Sequence, residues 1–382
     1  MTAVPTIGLN QHRLYARLEY WLPSLIASAI AGMAYIVIGH TPLVRAGGLA
    51  LIIFGMALAL RPMGALYALI GALTFAFCSA FWSQTGGGES LPLESVILVM
   101  LLALVGTVVF IFALKKPTLA IGIGILIFAG FFFTTLDSPR SLRLTTLLNV
   151  WSIYLLIDGL LRSNPRPDTT PLGKIGIQHT YGLLLFSIIG ILNDPLYVLM
   201  CPAILLGLFL TNRQQPVWYW LAFIAITAYG VYQLGMLYAD SAWWLFSAGR
   251  AQEIGIHTPF LMADGWREPS RWVLLINIVV TQFSVVGLLL GVVGLSRLAR
   301  WYPPIGVITM ILYGTYSLFG LMYFGRDNYV LLLPLHMIQI FWITYAIYTF
   351  SQWLQKSAMR SPSLVRWVAP LVYILFFVVL NF

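Results

Sequence analysis

Apolar residues run through this chain in long blocks, with polar residues confined to short turns between them. Thirteen blocks stand out, near residues 20–39, 44–60, 63–82, 92–114, 118–135, 144–161, 177–193, 195–211, 217–236, 272–296, 304–324, 329–350 and 367–382. A helix of roughly 20 apolar residues crosses a bilayer. Hydrocarbon admits only helices or closed barrels, because each backbone N–H and C=O must find its partner inside the protein. Barrel strands alternate polar and apolar over about ten residues, and these blocks do not. The pattern predicts an all-α polytopic transmembrane helical bundle of about 13 spans. At Asn193-Asp194-Pro195 two blocks almost touch, which predicts either two full spans or one re-entrant, broken element.

Composition sharpens this picture. Hydrophobic residues make up 60% of the 382 residues and charged residues only 9%, against about 25% charged in soluble domains. Both cysteines, Cys78 and Cys201, lie inside apolar blocks. They read as small buried hydrophobes and not as a disulfide framework or metal site. The first block follows a basic head with Arg13 and Arg17 and is too long for a signal-peptide core, so it reads as an uncleaved span.

Charge sets an expected orientation. With the N-terminus in the cytoplasm, 14 of the 21 basic residues fall on the inner side and 7 on the outer side, the bias of the positive-inside rule. The acids separate the other way, with Glu89, Asp137, Asp194 and Asp327 all at outer turns. The net charge of +9 then belongs mostly to a cytoplasmic, lipid-facing surface. The basic residues are scattered over short loops, which argues against nucleic acid as a partner. The expected location is a membrane, with the N-terminus on its cytoplasmic side.

A proline-bearing inner loop, residues 162–176, divides a six-span half (1–161) from a seven-span half (177–382). The longest outer loop, 237–271, carries Trp243, Trp244 and Phe246 beside Arg250 and Glu253. That mixture suits an interfacial helix near Ala242–Ile254, or a packed loop. Gly287, Gly291 and Gly294 form a small-residue stripe for close helix approach, inside the bundle or at a dimer face.

Ionisable residues at membrane depth are the first candidates for chemistry. Asp158 has Arg162 one helical turn away, and the two predict a local ion pair. His336 lies about two turns inside a span, behind Pro334. It reads as a hydrogen-bonded structural histidine, or as a ligand for haem, a quinone or a lipid headgroup. None of the other four histidines lies clearly inside a span, so no haem pair and no cofactor is expected. The sequence has no CxxC and no HExxH, and no metal is expected. What remains is a set of outer polar turns, "SQTGGGES", "LDSPRS", "LNDPLY", "YAD" and "FGRDNY". A carboxylate there can deprotonate an acceptor hydroxyl while Arg steadies a departing phosphate. Ordinary polar helix ends give the same pattern.

Two stretches go further. "FAFCSAFWSQTGGGESLPLES" resembles the "tFWsQ…E" turn of the bacterial membrane family related to protein O-mannosyltransferases, in the GT-C glycosyltransferase superfamily. "FGRDNYVLLLPLHM" resembles that family's "GRxxY/DxxY"-like turn before a proline-bearing span. Phe81, Trp82, Gln84 and Glu89 fit the first; Arg326, Asp327, Tyr329 and Pro334 fit the second. The resemblance implies a GT-C-like bundle with an outward site for a lipid-linked sugar. On that reading Trp82, Gln84, Arg326, Asp327, Tyr329 and His336 are ligand-binding candidates, and a polyprenyl lipid or phospholipid would lie in a groove. One departure decides against activity. The family's catalytic acid sits in a sizeable outer loop after the first span, and here that loop is "HTPLVRAGG", short and without an acid. The expectation is a non-catalytic scaffold or accessory subunit, with the bilayer and other membrane subunits as partners. An energy-transducing electron-transfer complex is one such host. The alternative is an active transferase for polyprenyl-phosphate sugars with Glu89, Asp137 or Asp194 as base.

Overall fold

The computed structural model describes residues 7–86, 142–163, 176–211, 215–239, 264–325, 327–357 and 367–375. The predicted spans 92–114 and 118–135 and the interfacial segment 242–254 lie outside these residues. So do Glu89, Asp137 and Arg326.

Among the described residues the chain is helical throughout, without a strand. The elements are α1 (Ile7–Val37), α2 (Leu43–Leu60), α3 (Ala65–Phe77), α4 (Ser79–Trp82), α5 (Leu142–Ser163), α6 (Ile177–Asn193), α7 (Cys201–Leu210), α8 (Val217–Ala239), α9 (Pro269–Trp301), α10 (Pro303–Met322), α11 (Asn328–Leu331) and α12 (Leu333–Ser357). A last helix, α13, covers 367–375. Seven helices are long and apolar enough to cross a membrane. The bent pair α3–α4 makes an eighth if its two parts are counted as one span. Two more, 179–193 and 195–210, are apolar but shorter.

The layers follow from burial. Most residues of α5 and α12 are enclosed, whereas α1 and α8 turn most of their apolar residues outward. On α8, Val217, Trp218, Leu221 and Ile224 are all exposed. A helix apolar all round, with its outward face uncovered by protein, suits a lipid surroundings.

Side-chain hydrogen bonds and helix contacts gather the helix termini into two groups, one at each end of the bundle. One end gathers the last turn of α3, all of α4 and the starts of α2, α5 and α9. The end of α10 and α11 lie there as well. We call it the mouth. The other end collects Arg61, the end of α5 and the start of α6. There Asp158 accepts hydrogen bonds from Arg162 (2.6 Å) and pairs with His179 Nε2 (2.6 Å). The sequence predicts the Asp158–Arg162 pair, but not His179, which stands three residues inside α6. Its other ring nitrogen accepts from the Gly176 N–H at 3.1 Å. The three side chains thus tie together the two helix ends that flank the 164–175 connection.

The glycine stripe resolves as internal packing. Gly287, Gly291 and Gly294 are buried in α9, where the last two face Gln339 and Trp342 of α12.

Candidate functional site

The mouth is built around two interruptions in helices. Between α3 and α4 Cys78 is extended (φ −67°, ψ 141°), and the chain bends by 60°. A break inside hydrocarbon frees backbone groups that need partners. Tyr35 supplies one, donating to the Ala76 carbonyl at 3.2 Å. Gln282 supplies the others: its Oε1 accepts from the Ala80 N–H (2.8 Å) and from the Ser79 hydroxyl (3.0 Å). Gln282 thereby acts as an N-terminal cap for α4 from 202 residues away. The second interruption follows in the same helix as Gln282. Ser284 takes φ 62° and ψ 173° inside α9, a conformation that side chains rarely adopt. The Ser284 hydroxyl then accepts from the Gly287 N–H (3.5 Å), and Gln339 donates to the Gly287 carbonyl (3.1 Å).

The "FWSQTG" turn sits on this frame. Trp82 stacks on Phe77 (5.8 Å, 27°) and meets Tyr35 edge-on (5.4 Å). Thr41, in the connection from α1 to α2, donates to the Thr85 carbonyl at 3.4 Å. Two arginines converge on the Gly86 carbonyl: Arg45 from the start of α2 and Arg143 from the start of α5, each at 3.0 Å. Arg143 also donates to the Gln84 carbonyl at 3.3 Å. The Gln84 side chain is half-buried and donates to Ser83 Oγ at 3.4 Å. Cations at carbonyl-rich helix ends are electrostatically favourable.

The second turn is brought against the first, since α11 packs on α4. Asp327 is exposed and accepts from the Tyr323 hydroxyl at 2.6 Å. Tyr329 is 40% exposed. Beneath them Arg271, only 8% exposed, donates to the carbonyls of Gly320 (2.9 Å), Leu321 (3.0 Å) and Tyr323, and lies over the Phe324 ring. The sequence places Arg271 in a solvent-facing loop. The structure starts α9 at Pro269 and buries the guanidinium on the end of α10.

Two further candidates change meaning. His336 is fully buried beside Phe283 (rings 5.7 Å apart), and neither of its ring nitrogens makes a hydrogen bond, although the Tyr329 backbone lies close. His336 is thus an enclosed histidine, as a structural role requires, with the Tyr329 backbone as its polar neighbour. Asp194 is also fully buried. Its carboxylate accepts from the Leu196 N–H (3.1 Å) and from Thr145 Oγ1 (3.5 Å), which caps the 3-10 turn Pro195–Met200.

Trp82, Gln84, Asp327 and Tyr329 thus gather at one mouth, with His336 in the enclosed first turns of α12 below. Gln282 and Gln339 are the residues that sequence reasoning passes over. Their signal is an amide set in a largely apolar span, where an unpaired amide is costly. No protein-family model, no curated protein and no solved structure matches the chain.

Proposed function

We propose that the chain is a non-catalytic multi-pass protein of the bacterial inner membrane, a scaffold or accessory subunit of a larger complex. In this reading the whole chain is a thirteen-span, GT-C-like bundle with a cytoplasmic N-terminus. One observation carries it. The connection from α1 to α2 is five residues, Ile38 to Pro42, without an acid. Several polar side chains at the mouth are engaged with the backbone. Thr41 holds the Thr85 carbonyl, Arg45 and Arg143 hold Gly86, and Arg271 holds the end of α10. Groups committed to helix ends are poorly placed to bind a substrate that arrives and leaves.

Exposed apolar faces supply the other half of the reading. Met33, Val37 and Ile38 near the end of α1, and Val217 and Leu221 on α8, are each more than 60% exposed. In a membrane such faces are open to lipid and to neighbouring helices. The test is extraction from native membranes in a mild detergent, followed by affinity purification and quantification of each component. Other membrane subunits at a fixed stoichiometry are expected. A monodisperse monomer with no companion rejects the reading.

A second reading is favoured by the meeting of α4 with α11. It joins the two turns whose residues resemble the transferase family, Trp82 and Gln84 with Asp327 and Tyr329. In that reading the mouth is an active site for polyprenyl-phosphate sugars; of the three carboxylates the sequence offers as base, Asp194 is the one among the described residues, and it lies enclosed at the break between α6 and α7.

A further inference from the structure

The end of α9 away from the mouth carries a second pattern. After the break at Ser284 the helix is regular to Trp301. In that stretch Val286, Leu289, Val293, Arg297 and Arg300 stand at i, i+3, i+7, i+11 and i+14, the spacing of one helix face. Val286, Leu289 and both arginines are exposed, and Val293 is half-buried. The face is apolar at first and then doubly cationic. From Val286 to Arg297 the helix rises about 16 Å, close to half of a hydrocarbon core about 30 Å thick. The apolar part therefore matches the acyl chains of one leaflet, and the arginines stand at the depth of its headgroups.

Tryptophans mark the same depth. Trp301 follows Arg300 and is 60% exposed, and Trp21 of α1, Trp218 of α8 and Trp353 of α12 are exposed at the same end. Exposed tryptophans collect at the boundary between membrane and water. At the mouth end of α9, Trp272 is exposed as well. From Trp272 to Trp301 a helix rises about 43 Å, the thickness of a bilayer with both of its headgroup layers.

Charge selects the kind of lipid. Arg297 and Arg300 are neighbours on the helix surface, where like charges repel. Among the described residues neither makes an ion pair. Asp158, an acid of this end, is already held by Arg162 and His179. A zwitterionic headgroup brings a cation along with its phosphate. An anionic headgroup leaves a net negative charge for the pair, and its phosphate can accept from a guanidinium in two parallel hydrogen bonds.

We propose that Arg297, Arg300 and Trp301 hold the headgroup of an anionic phospholipid whose acyl chains lie along Val286, Leu289 and Val293. The site asks only that α9 spans a bilayer, and it stands independently of the function proposed above.

The test is native mass spectrometry of the delipidated full chain, titrated with phosphatidylglycerol or with phosphatidylcholine of the same acyl chains. Both lipids carry a phosphate, so the comparison reads the net charge of the headgroup. Each arginine at a charged membrane surface strengthens binding about fivefold. Wild type is expected to bind one phosphatidylglycerol about 25-fold tighter than phosphatidylcholine. Arg297→Gln and Arg300→Gln are each expected to lower that preference about fivefold, and the double variant to abolish it. Arg267→Gln, which removes an exposed arginine at the mouth end, is the control and is expected to leave it unchanged. Circular dichroism checks the fold of each variant, and the wild-type comparison needs no variant. Equal affinity of wild type for the two lipids overturns the proposal and leaves the two arginines to an acidic segment of another subunit. A preference that survives the double substitution overturns it as well, since the lipid then binds elsewhere.

Discussion

Replacing Arg271 with Ala is expected to lower the stability of the folded chain by about 3 kcal/mol or more. The guanidinium donates to three carbonyls at the end of α10, those of Gly320, Leu321 and Tyr323. Its place in the first turn of α9 lets one side chain satisfy acceptors that α10 cannot satisfy itself. Without it these buried carbonyls lose a donor, and Asn328, which also donates to the Gly320 carbonyl (3.1 Å), remains as a partial substitute. Arg271→Lys retains the charge but not the planar fork, so roughly half of the loss is expected to return. Unfolding of both variants in detergent, followed by circular dichroism, checks the order wild type, Lys, Ala. A chain equally stable with Ala means that water already serves those carbonyls.

Gly294→Ala is expected to be as damaging, through contact instead of charge. An added Cβ there would stand 1.8 Å from the Trp342 carbonyl oxygen and 2.6 Å from its carbon. Backbone cannot rotate away as a side chain does, so α9 and α12 must separate. The α12 side is held in turn, because Trp342 donates to Thr309 of α10 at 3.0 Å. Overpacking of this kind costs about 1–3 kcal/mol, and here the obstructing atoms are main chain, so the upper end is expected. Gly314 of α10 is the control. A Cβ there meets nothing within 4 Å, and Gly314→Ala is expected to be neutral or to stabilise by up to about 1 kcal/mol. Melting temperatures of the two variants side by side separate the effect of packing from the effect of losing a glycine.

The helices themselves are legible in the sequence because an apolar block has one solution in hydrocarbon. Thus α2, α5, α10 and α12 lie where the blocks lie. The Asn193-Asp194-Pro195 break is legible too, as a proline and a capping carboxylate at a junction. What the sequence does not carry is the pairing between distant segments. Gln282 caps α4 across 202 residues, and nothing local to either segment announces it. His179 escapes notice because it sits at a helix start, where a histidine is ordinary, and only the fold brings it to Asp158. Arg271 escapes for the opposite reason. An arginine beside a loop reads as solvated until a neighbouring helix end is laid over it. The candidate site is legible as two separate turns. That they meet depends on the packing of α11 against α4, a tertiary fact.

The reading that matters most is that the mouth holds the fold together and transfers nothing. It is tested most directly by incubating the purified chain with a panel of labelled polyprenyl-phosphate sugars and acceptor substrates, beside an Asp194→Asn variant. The account predicts that wild type and variant both stay at the level of the protein-free control. Transfer by the wild-type chain that disappears with Asp194→Asn, while the variant keeps its helical circular dichroism, would contradict it.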